Sequence, residues 1–513
     1  AHPYAPCHGT TLRCHWRVAH CPQRFGPTNR AMPFIFFDFQ PAVTALSVAW
    51  AVYFVILTVW ILLQKRAPVA TLSWIMCLAL LPYIGFAIYY FLGPQRMKKQ
   101  RSRRLRSQAH LFVQADIASL RKITEDAPPS MQALARLGTA TCGIPVSTAT
   151  SMVLLVGGDK TFDAIFEAIR RARHHVHLEY YVLEPDQIGN ALAQLLIEKA
   201  HHGVTVRLLV DALGSQNLRR SFIDPMVKAG VQFAWFHDTR IGRRWRPVTN
   251  YRTHRKIVVC DGQVGFTGGI NFTDEEDPRT RDDAYHDVHL RLEGSVVRWL
   301  QLTFLEDWTY STGEPAEKLV GTLLRLMPSM GAGTYPVQIL TSGPDSAMES
   351  IHRMYVAAID GALSRVWLTT PYFVPGEPAL MALTSASLRG VDVRVMVPRR
   401  SDSLVVSAAA RSYYDELIDA GVRIYEYKDR MLHSKTLVVD DNCAFIGTAN
   451  FDNRSFRLNY EVCAVVYGPA LALQLAQQFE VDLTFCSGVR AHRRQPLLRR
   501  LGDATARLFS PLL

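Results

Sequence analysis

No Cys-x-x-Cys pair occurs in this chain. Its nine cysteines are scattered over 513 residues, and Cys260, Cys443 and Cys463 lie inside apolar, strand-like runs where a reduced, buried thiol is the ordinary state, so no disulfide framework is expected. Cys7, Cys14 and Cys21 have His8, His15 and His20 beside them, but the spacing fits no zinc module. Residues 1–40 read instead as a poorly structured extension. Charge is missing altogether from Pro41 to Leu63. As a helix that run reaches about 34 Å, enough to cross a hydrocarbon core of about 30 Å. A second uncharged run, Thr71 to Leu92, follows after Gln64–Pro68, and Trp60, Trp74, Tyr89 and Tyr90 fall near the run ends, where aromatic side chains meet the membrane interface. The pair predicts a two-helix transmembrane hairpin over 41–92. A cleaved signal peptide fits poorly, because its apolar core would be shorter and no second run would follow. Pro82 and Gly85 break helices in water but are tolerated in membrane helices.

Acidic residues are also in deficit. Lys and Arg total 57 against 45 Asp and Glu, a net charge of +12, which favours a polyanionic partner, either nucleic acid or an anionic membrane face. Much of the excess follows the second run at Arg96, Lys98, Lys99, Arg101, Arg103, Arg104 and Arg106. A cluster so placed puts the rest of the chain in the cytoplasm and suits anionic headgroups. The length calls for two or three domains.

Beyond residue 150 the chain can be laid over itself. VHLEYYVL from Val176 matches VWLTTPYF from Val366, GVTVRLLV from Gly203 matches GVDVRVMV from Gly390, AGVQFAWF from Ala229 matches AGVRIYEY from Ala420, and YHDVHLRLEG from Tyr285 matches NYEVCAVVYG from Asn459. The order never changes, and the first copy carries an insertion between Phe236 and His254. Short β-branched runs alternate with helical stretches, the pattern of an α/β domain with a largely buried sheet. The expected fold is α/β, two duplicated domains packed about a pseudo-two-fold axis. The boundaries are an extension at 1–40, the hairpin at 41–92, a basic juxtamembrane linker at 93–150, a first domain at 151–330, a second at 331–490, and a basic amphipathic tail at 491–513.

Each copy spells His-x-Lys, an Asp five residues after the Lys, a Gly seven further on and an Asn three beyond that: His254, Lys256, Asp261, Gly268 and Asn271, then His433, Lys435, Asp440, Gly447 and Asn450. Alternation along an extended strand turns His254 and Lys256 to one side and Arg255 to the other. An imidazole beside an ammonium suits a phosphate: the Lys draws an anionic oxygen, and the imidazole serves as nucleophile or proton carrier. Lys is not a normal metal ligand, so a metal centre is not expected. Asp261 and Asp440 complete the motif and count with the catalytic set, although both open turns and read also as residues that hold the hairpin. Asn271 and Asn450 offer amide donors to the phosphate, and Asp287 and Glu461, at equivalent places in the repeat, are candidates to orient an imidazole. Gly269 stands where the second copy has Thr448, so the two copies differ in their phosphate contacts.

Two further basic regions bear on substrate. The insertion carries Arg240, Arg243, Arg244, Arg246 and Arg252 around Trp245, either a solvated loop or a lip against headgroups. The tail puts Leu497, Leu501, Ala504 and Leu508 on one helical face, which suits either the membrane interface or packing against the core.

The doubled His-x-Lys-x4-Asp with its trailing Gly and Asn resembles the signature of the phospholipase D superfamily. With the hairpin, VHLEYYVL, TTPYFVP from Thr369, YRTHRKI, LHSKTLVVD and the terminal FSPLL, the chain is similar to the bacterial cardiolipin synthases over nearly its whole length from about residue 41. That resemblance implies two phospholipase D-like domains and a phosphatidyltransferase that condenses two phosphatidylglycerol molecules into cardiolipin and glycerol through a phosphatidyl-histidine intermediate. It implies that one of His254 and His433, with His254 the first expectation, attacks phosphorus while the other carries protons, and that Lys256, Lys435, Asn271 and Asn450 hold the phosphoryl oxygens. No cofactor, metal or nucleic acid is implied. The implied partners are phosphatidylglycerol and cardiolipin in a bacterial inner membrane, crossed more than once, with the catalytic domains cytoplasmic. Hydrolysis of a phospholipid by water is the alternative, and cleavage of nucleic acid a more distant one, against which the hairpin weighs.

Overall fold

The computed structural model describes residues 40–63, 68–81, 84–85, 128–237, 251–315, 319, 333–346, 348–490, 496–511 and 513. The extension, the basic cluster at 96–106 and the insertion at 238–250 lie outside them.

Two compact units divide the chain near Tyr89 and Tyr90. In the first, α1 (Gln40–Leu62) packs on α2 (Pro68–Leu80) through buried Ile61 and Leu78, with Phe54, Leu57, Trp74 and Ile75 around them. Leu46, Val48, Val52, Val55 and Ile56 remain exposed along α1, an apolar surface that a monomer in water does not sustain. Among the described residues only α1 is long and apolar enough to cross a membrane. At 13 residues α2 covers about 20 Å and falls short of a span. Of the expected two-span hairpin, the described residues show one helix of spanning length, α1, packed on a shorter apolar helix. Residues 86–92, the remainder of the second apolar run, lie outside the described residues.

In the second unit the first-half strands are β1 (Ser147–Ala149), β2 (Ser151–Val156), β3 (His175–Tyr180), β4 (Thr205–Asp211), β5 (Gln232–Phe236), β6 (Arg252–Thr253), β7 (Ile257–Cys260), β8 (Val264–Gly268) and β9 (Val288–Glu293). The second half has β10 (Tyr335–Ser342), β11 (Arg365–Thr369), β12 (Phe373–Val374), β13 (Asp392–Pro398), β14 (Arg423–Tyr427), β15 (Thr436–Val439), β16 (Cys443–Gly447), β17 (Phe451–Asp452), β18 (Asn459–Tyr467) and β19 (Cys486–Gly488). One sheet runs β2-β9-β8-β7-β3-β4-β5, and the other contains the same order, β10-β18-β16-β15-β11-β13-β14, with β1 and β19 added at its edges. Strand directions agree position by position: β3, β4 and β5 are parallel neighbours, as are β11, β13 and β14, and the other neighbours within each shared order are antiparallel. The duplication read from sequence is thus a duplication of topology.

Buried β-branched and aliphatic side chains build the sheets from both faces. Phe162, Ile165, Leu192 and Leu196 from helices Gly158–Arg171 and Gln187–His201 cover one face of the first sheet. Helices Ser350–Asp360 and Glu377–Leu388 cover the corresponding face of the second. A third apolar cluster takes Ile257, Val259 and Leu290 from the first half and Val438, Ile446 and Val462 from the second, with Trp299 and Phe479 of helices Val297–Thr312 and Pro469–Leu483. This shared core holds the halves together.

The tail forms helix Leu497–Leu508 and docks on the second half, but not by its leucines. Asp503 and Ala506 are buried, Asp503 accepting from Arg411 at 2.7 Å, while Leu497, Leu501 and Leu508 are exposed. Of the two readings of the leucine face, packing against the core is excluded.

Candidate active site

Both His-x-Lys segments are extended stretches that lead into the strands at the centre of their sheets, β7 and β15. Each is held at its start by the other half: the His254 N–H donates to Tyr460 O at 2.9 Å, continuing the parallel pairing of β6 with β18, and the His433 N–H donates to His286 O at 2.8 Å beside the Leu432–His286 bridge. The next residue on each partner stretch is a carboxylate. His254 Nδ1 therefore lies 3.1 Å from Glu461 Oε2 and 3.0 Å from Thr448 O, and His433 Nδ1 lies 2.7 Å from Asp287 Oδ2. Both expected orienting carboxylates hold an imidazole, and each holds the one from the opposite half. An Nδ1–H so engaged leaves Nε2 with its lone pair for chemistry.

Lys256 and Lys435 are fully buried beside these rings. The Lys256 ammonium donates to His254 O at 3.1 Å and lies over the Tyr181 ring at 5.6 Å; that of Lys435 donates to His433 O and stands 3.7 Å from Asp287 Oδ2. Arg255 turns the other way, pairing with Asp307 and donating to Glu461 O at 3.1 Å, as alternation requires. Burial, then the Lys435 charge, push Lys256 down to about 7, and burial followed by Lys435 hold His433 at about 4. Burial likewise lowers His254, against the pull of Glu461. Lys435 also acts on His254, and Lys256 on His433. The four groups are one electrostatic unit, short of negative charge, that an anion would complete. Burial alone would raise Asp287 and Glu461, but Lys435 and His433 for the first, and His254 with Thr448 for the second, outweigh it and both stay ionised.

The difference between Gly269 and Thr448 has a steric cause. A Cβ at Gly269 would overlap both Asp287 carboxylate oxygens, whereas the Thr448 hydroxyl donates to Glu461 Oε2 at 2.5 Å. One half uses glycine with the shorter acid, the other a hydroxyl with the longer. Asn271 and Asn450, two residues past Gly269 and Thr448, are buried; Asn271 Nδ2 reaches Glu276 Oε1 at 3.4 Å, and Asn450 Oδ1 has no protein partner. Tyr181 stands edge-on to His254 at 5.0 Å, and Tyr285 lies 5.6 Å from His433.

Sequence reasoning missed Glu276. Its Oε1 accepts from the Asn271 N–H at 3.2 Å and lies 3.6 Å from His433 Nδ1; burial and Asp287 push it up to about 8, toward its protonated form. The signal was the fifth residue after each motif Asn, since Ser455 accepts from the Asn450 N–H at 3.1 Å in the same way. Glu276, Asp287 and His433 present ligand atoms within 4.8 Å of one another, which would suit a cation. The Lys435 ammonium already supplies positive charge there.

Asp261 and Asp440 are not in this cluster, which corrects their place in the catalytic set. Each follows the far end of its strand, about 15 Å along the chain from its Lys at the rise of an extended strand, with φ of +53° and +52°. Asp261 accepts from the backbone N–H groups of Arg173, His174 and His175 at 2.7–2.8 Å, and Asp440 from those of Leu363, Ser364 and Arg365 at 2.7–3.1 Å. They tie the turn before β3 and before β11 to the motif strand, the role their turn context also indicated. Of the arginines of the insertion, Arg252 alone is described, buried 3.9 Å from Asp211.

Comparison with known proteins finds the same doubled domain. A family model described as the phospholipase D-like domain of cardiolipin synthase matches twice, at residues 165–292 and 355–483. A cardiolipin synthase of Alkalihalophilus pseudofirmus is 38% identical over 92% of this chain and 94% of its own, and cardiolipin synthase 2 of Bacillus anthracis is 40% identical over 88% of each. Among solved structures, phosphatidylserine synthase of Haemophilus influenzae superposes with a TM-score of 0.56 over 74% of this chain and all of its own at 14% identity, a likeness of fold alone.

Proposed function

The chain belongs to the cardiolipin synthase family of phospholipase D-like enzymes, and on that premise we propose that it condenses two phosphatidylglycerol molecules into cardiolipin and glycerol at one site shared by its halves. The observation that carries the reading is the crossed pairing of His254 with Glu461 and His433 with Asp287 around two buried lysines. Lys256, Lys435, Asn271 and Asn450 receive the phosphoryl oxygens of the donor. One imidazole, His254 by resemblance, attacks phosphorus through Nε2; the bond to the glycerol oxygen breaks, and the other imidazole gives that oxygen its proton. The bound phosphodiester, an anion beside both lysines, raises the pKa of the proton-carrying ring into a working range. The same ring then takes the proton of a hydroxyl on the second phosphatidylglycerol, whose oxygen displaces histidine from phosphorus. The reciprocal contacts of β6 with β18 and of His286 with Leu432 support a pseudo-two-fold axis through the cleft.

In this reading α1 and the second apolar run form a membrane hairpin of the bacterial inner membrane, with the basic cluster and both catalytic domains on the cytoplasmic side, facing phosphatidylglycerol and cardiolipin in an anionic membrane. The test is to incubate the detergent-solubilised chain with labelled phosphatidylglycerol and separate the lipids. Cardiolipin with glycerol supports the reading; phosphatidic acid would make the enzyme a hydrolase, and inert lipid with cut DNA a nuclease.

A further inference from the structure

One exposed apolar surface borders the cleft and belongs to neither the core nor the chemistry. On helix Leu497–Leu508, 100° per residue gathers Leu497, Leu501, Ala504 and Leu508 into one stripe, roughly opposite the docked Asp503 and Ala506. Leu497, Leu498, Leu501, Leu508 and Phe509 are exposed by 52–83%. The helix rests on Leu404–Arg411, whose own first residues, Leu404 and Val405, are 84% and 48% exposed.

Both elements reach the active site. Beyond the tail helix, Ser510 O accepts from Asn453 Nδ2 at 3.0 Å and Leu513 O accepts from the Arg454 N–H at 2.8 Å, three and four residues past Asn450. Ahead of Leu404, the Asp402 carboxylate accepts from the Tyr372 hydroxyl at 2.6 and 2.7 Å. Tyr372 is tied to the Asn450 loop through Thr370, whose hydroxyl takes the Phe451 N–H at 3.0 Å and donates to Tyr372 O at 2.9 Å. Asp402 lies two residues ahead of Leu404, so this hydrogen-bonded chain joins that helix to the Asn450 loop. Arg500 and Arg507 flank the stripe and are exposed, and Arg399 and Arg400, five and four residues ahead of Leu404, are exposed too.

We propose that Leu404, Val405 and the leucine stripe of the C-terminal helix seat on an anionic bilayer and set the mouth of the cleft against the lipid surface. Leucines flanked by arginines are the composition of an interfacial helix, in which apolar side chains enter the headgroup boundary and cations meet anionic lipid. Continuity with the cleft gives the surface its use: a diacyl substrate reaches the lysines without leaving the bilayer. The proposal rests on the lipid-transfer reading above.

Its test compares the full chain with the Leu404→Asp/Leu501→Asp variant on two substrates, phosphatidylglycerol in vesicles and a short-chain phosphatidylglycerol dissolved as monomers. Both residues are solvent-exposed, so folding survives, as melting will check. The vesicle rate relative to the monomer rate should fall roughly tenfold or more; an unchanged ratio overturns the proposal. Leu501→Trp in proteoliposomes should be quenched by brominated lipid, while Leu363→Trp, at the Asp440 turn on the far end of the sheet, should not. An unquenched Leu501→Trp also overturns it. A wild-type chain that makes no cardiolipin from either substrate would defeat the transfer reading instead, and the quenching would still decide the surface.

Discussion

Exchanging the two halves' solutions for holding an imidazole should show that they are equivalent devices. Gly269→Thr places a Cβ where the Asp287 carboxylate lies, so Asp287 must leave its 2.7 Å bond to His433 Nδ1. Losing a buried hydrogen bond to a charged group costs about 3 kcal/mol, a factor on the order of 10² in rate when the loss falls on the transition state. Asp287→Glu alone adds a methylene to a filled space, at about 1–3 kcal/mol. The double variant Gly269→Thr/Asp287→Glu rebuilds in the first half what Thr448 and Glu461 form in the second, a hydroxyl at 2.5 Å steering a longer acid to an imidazole 3.1 Å away. It should recover about tenfold over Gly269→Thr. The assay is initial rate of labelled cardiolipin formation, with a melting curve for each protein. Full activity in Gly269→Thr, or a double variant that folds but is no better than the single, would refute the equivalence.

Asp261→Ala and Asp440→Ala should each lower stability by about 2–4 kcal/mol, since backbone donors lose their acceptor and the replacement must hold a positive φ, while kcat of the folded fraction stays near wild type; a collapse of kcat without a change in melting would return them to the chemistry. With His433 as the proton-carrying ring, kcat/KM should fall as pH rises, first from about 4, where His433 loses its proton in the free enzyme, and more steeply above about 7, where Lys256 loses its charge. The ammonium exists only below its pKa, and a bound phosphate should carry the alkaline limb of kcat to higher pH. A kcat/KM that keeps rising past pH 8 would contradict this. Chelator should leave the rate within about twofold, because Lys435 supplies the cation beside Asp287; a large loss restored by a divalent ion would place that ion on Glu276, Asp287 and His433.

Much of this was legible in the sequence because duplication doubles the signal. Runs such as VTVRLLV and VDVRVMV located equivalent strands, and two copies of His-x-Lys with matched Gly and Asn marked both imidazoles and both lysines. What sequence could not give was set by long-range register. Glu461 orients His254 only because β6 pairs with β18, a contact across 207 residues. Glu276 was hidden because its counterpart, Ser455, is chemically unlike it although the backbone contact is the same. The tail's leucines left two readings open, because a hydrophobic stripe does not say whether protein or lipid will cover it; the ion pair of Asp503 with Arg411 and the seat of Ala506 decided which face docks.

The central claim is a single site built from both halves, and the covalent intermediate counts sites directly. The chain should be quenched during turnover of phosphatidylglycerol labelled in its phosphatidyl moiety, and the adduct located by mass spectrometry. The account predicts at most one phosphatidyl group per chain, confined to one of His254 and His433, with cardiolipin synthesis abolished by His254→Ala and by His433→Ala alike. Adducts on both histidines at two per chain, with each single variant keeping about half the activity, would contradict it.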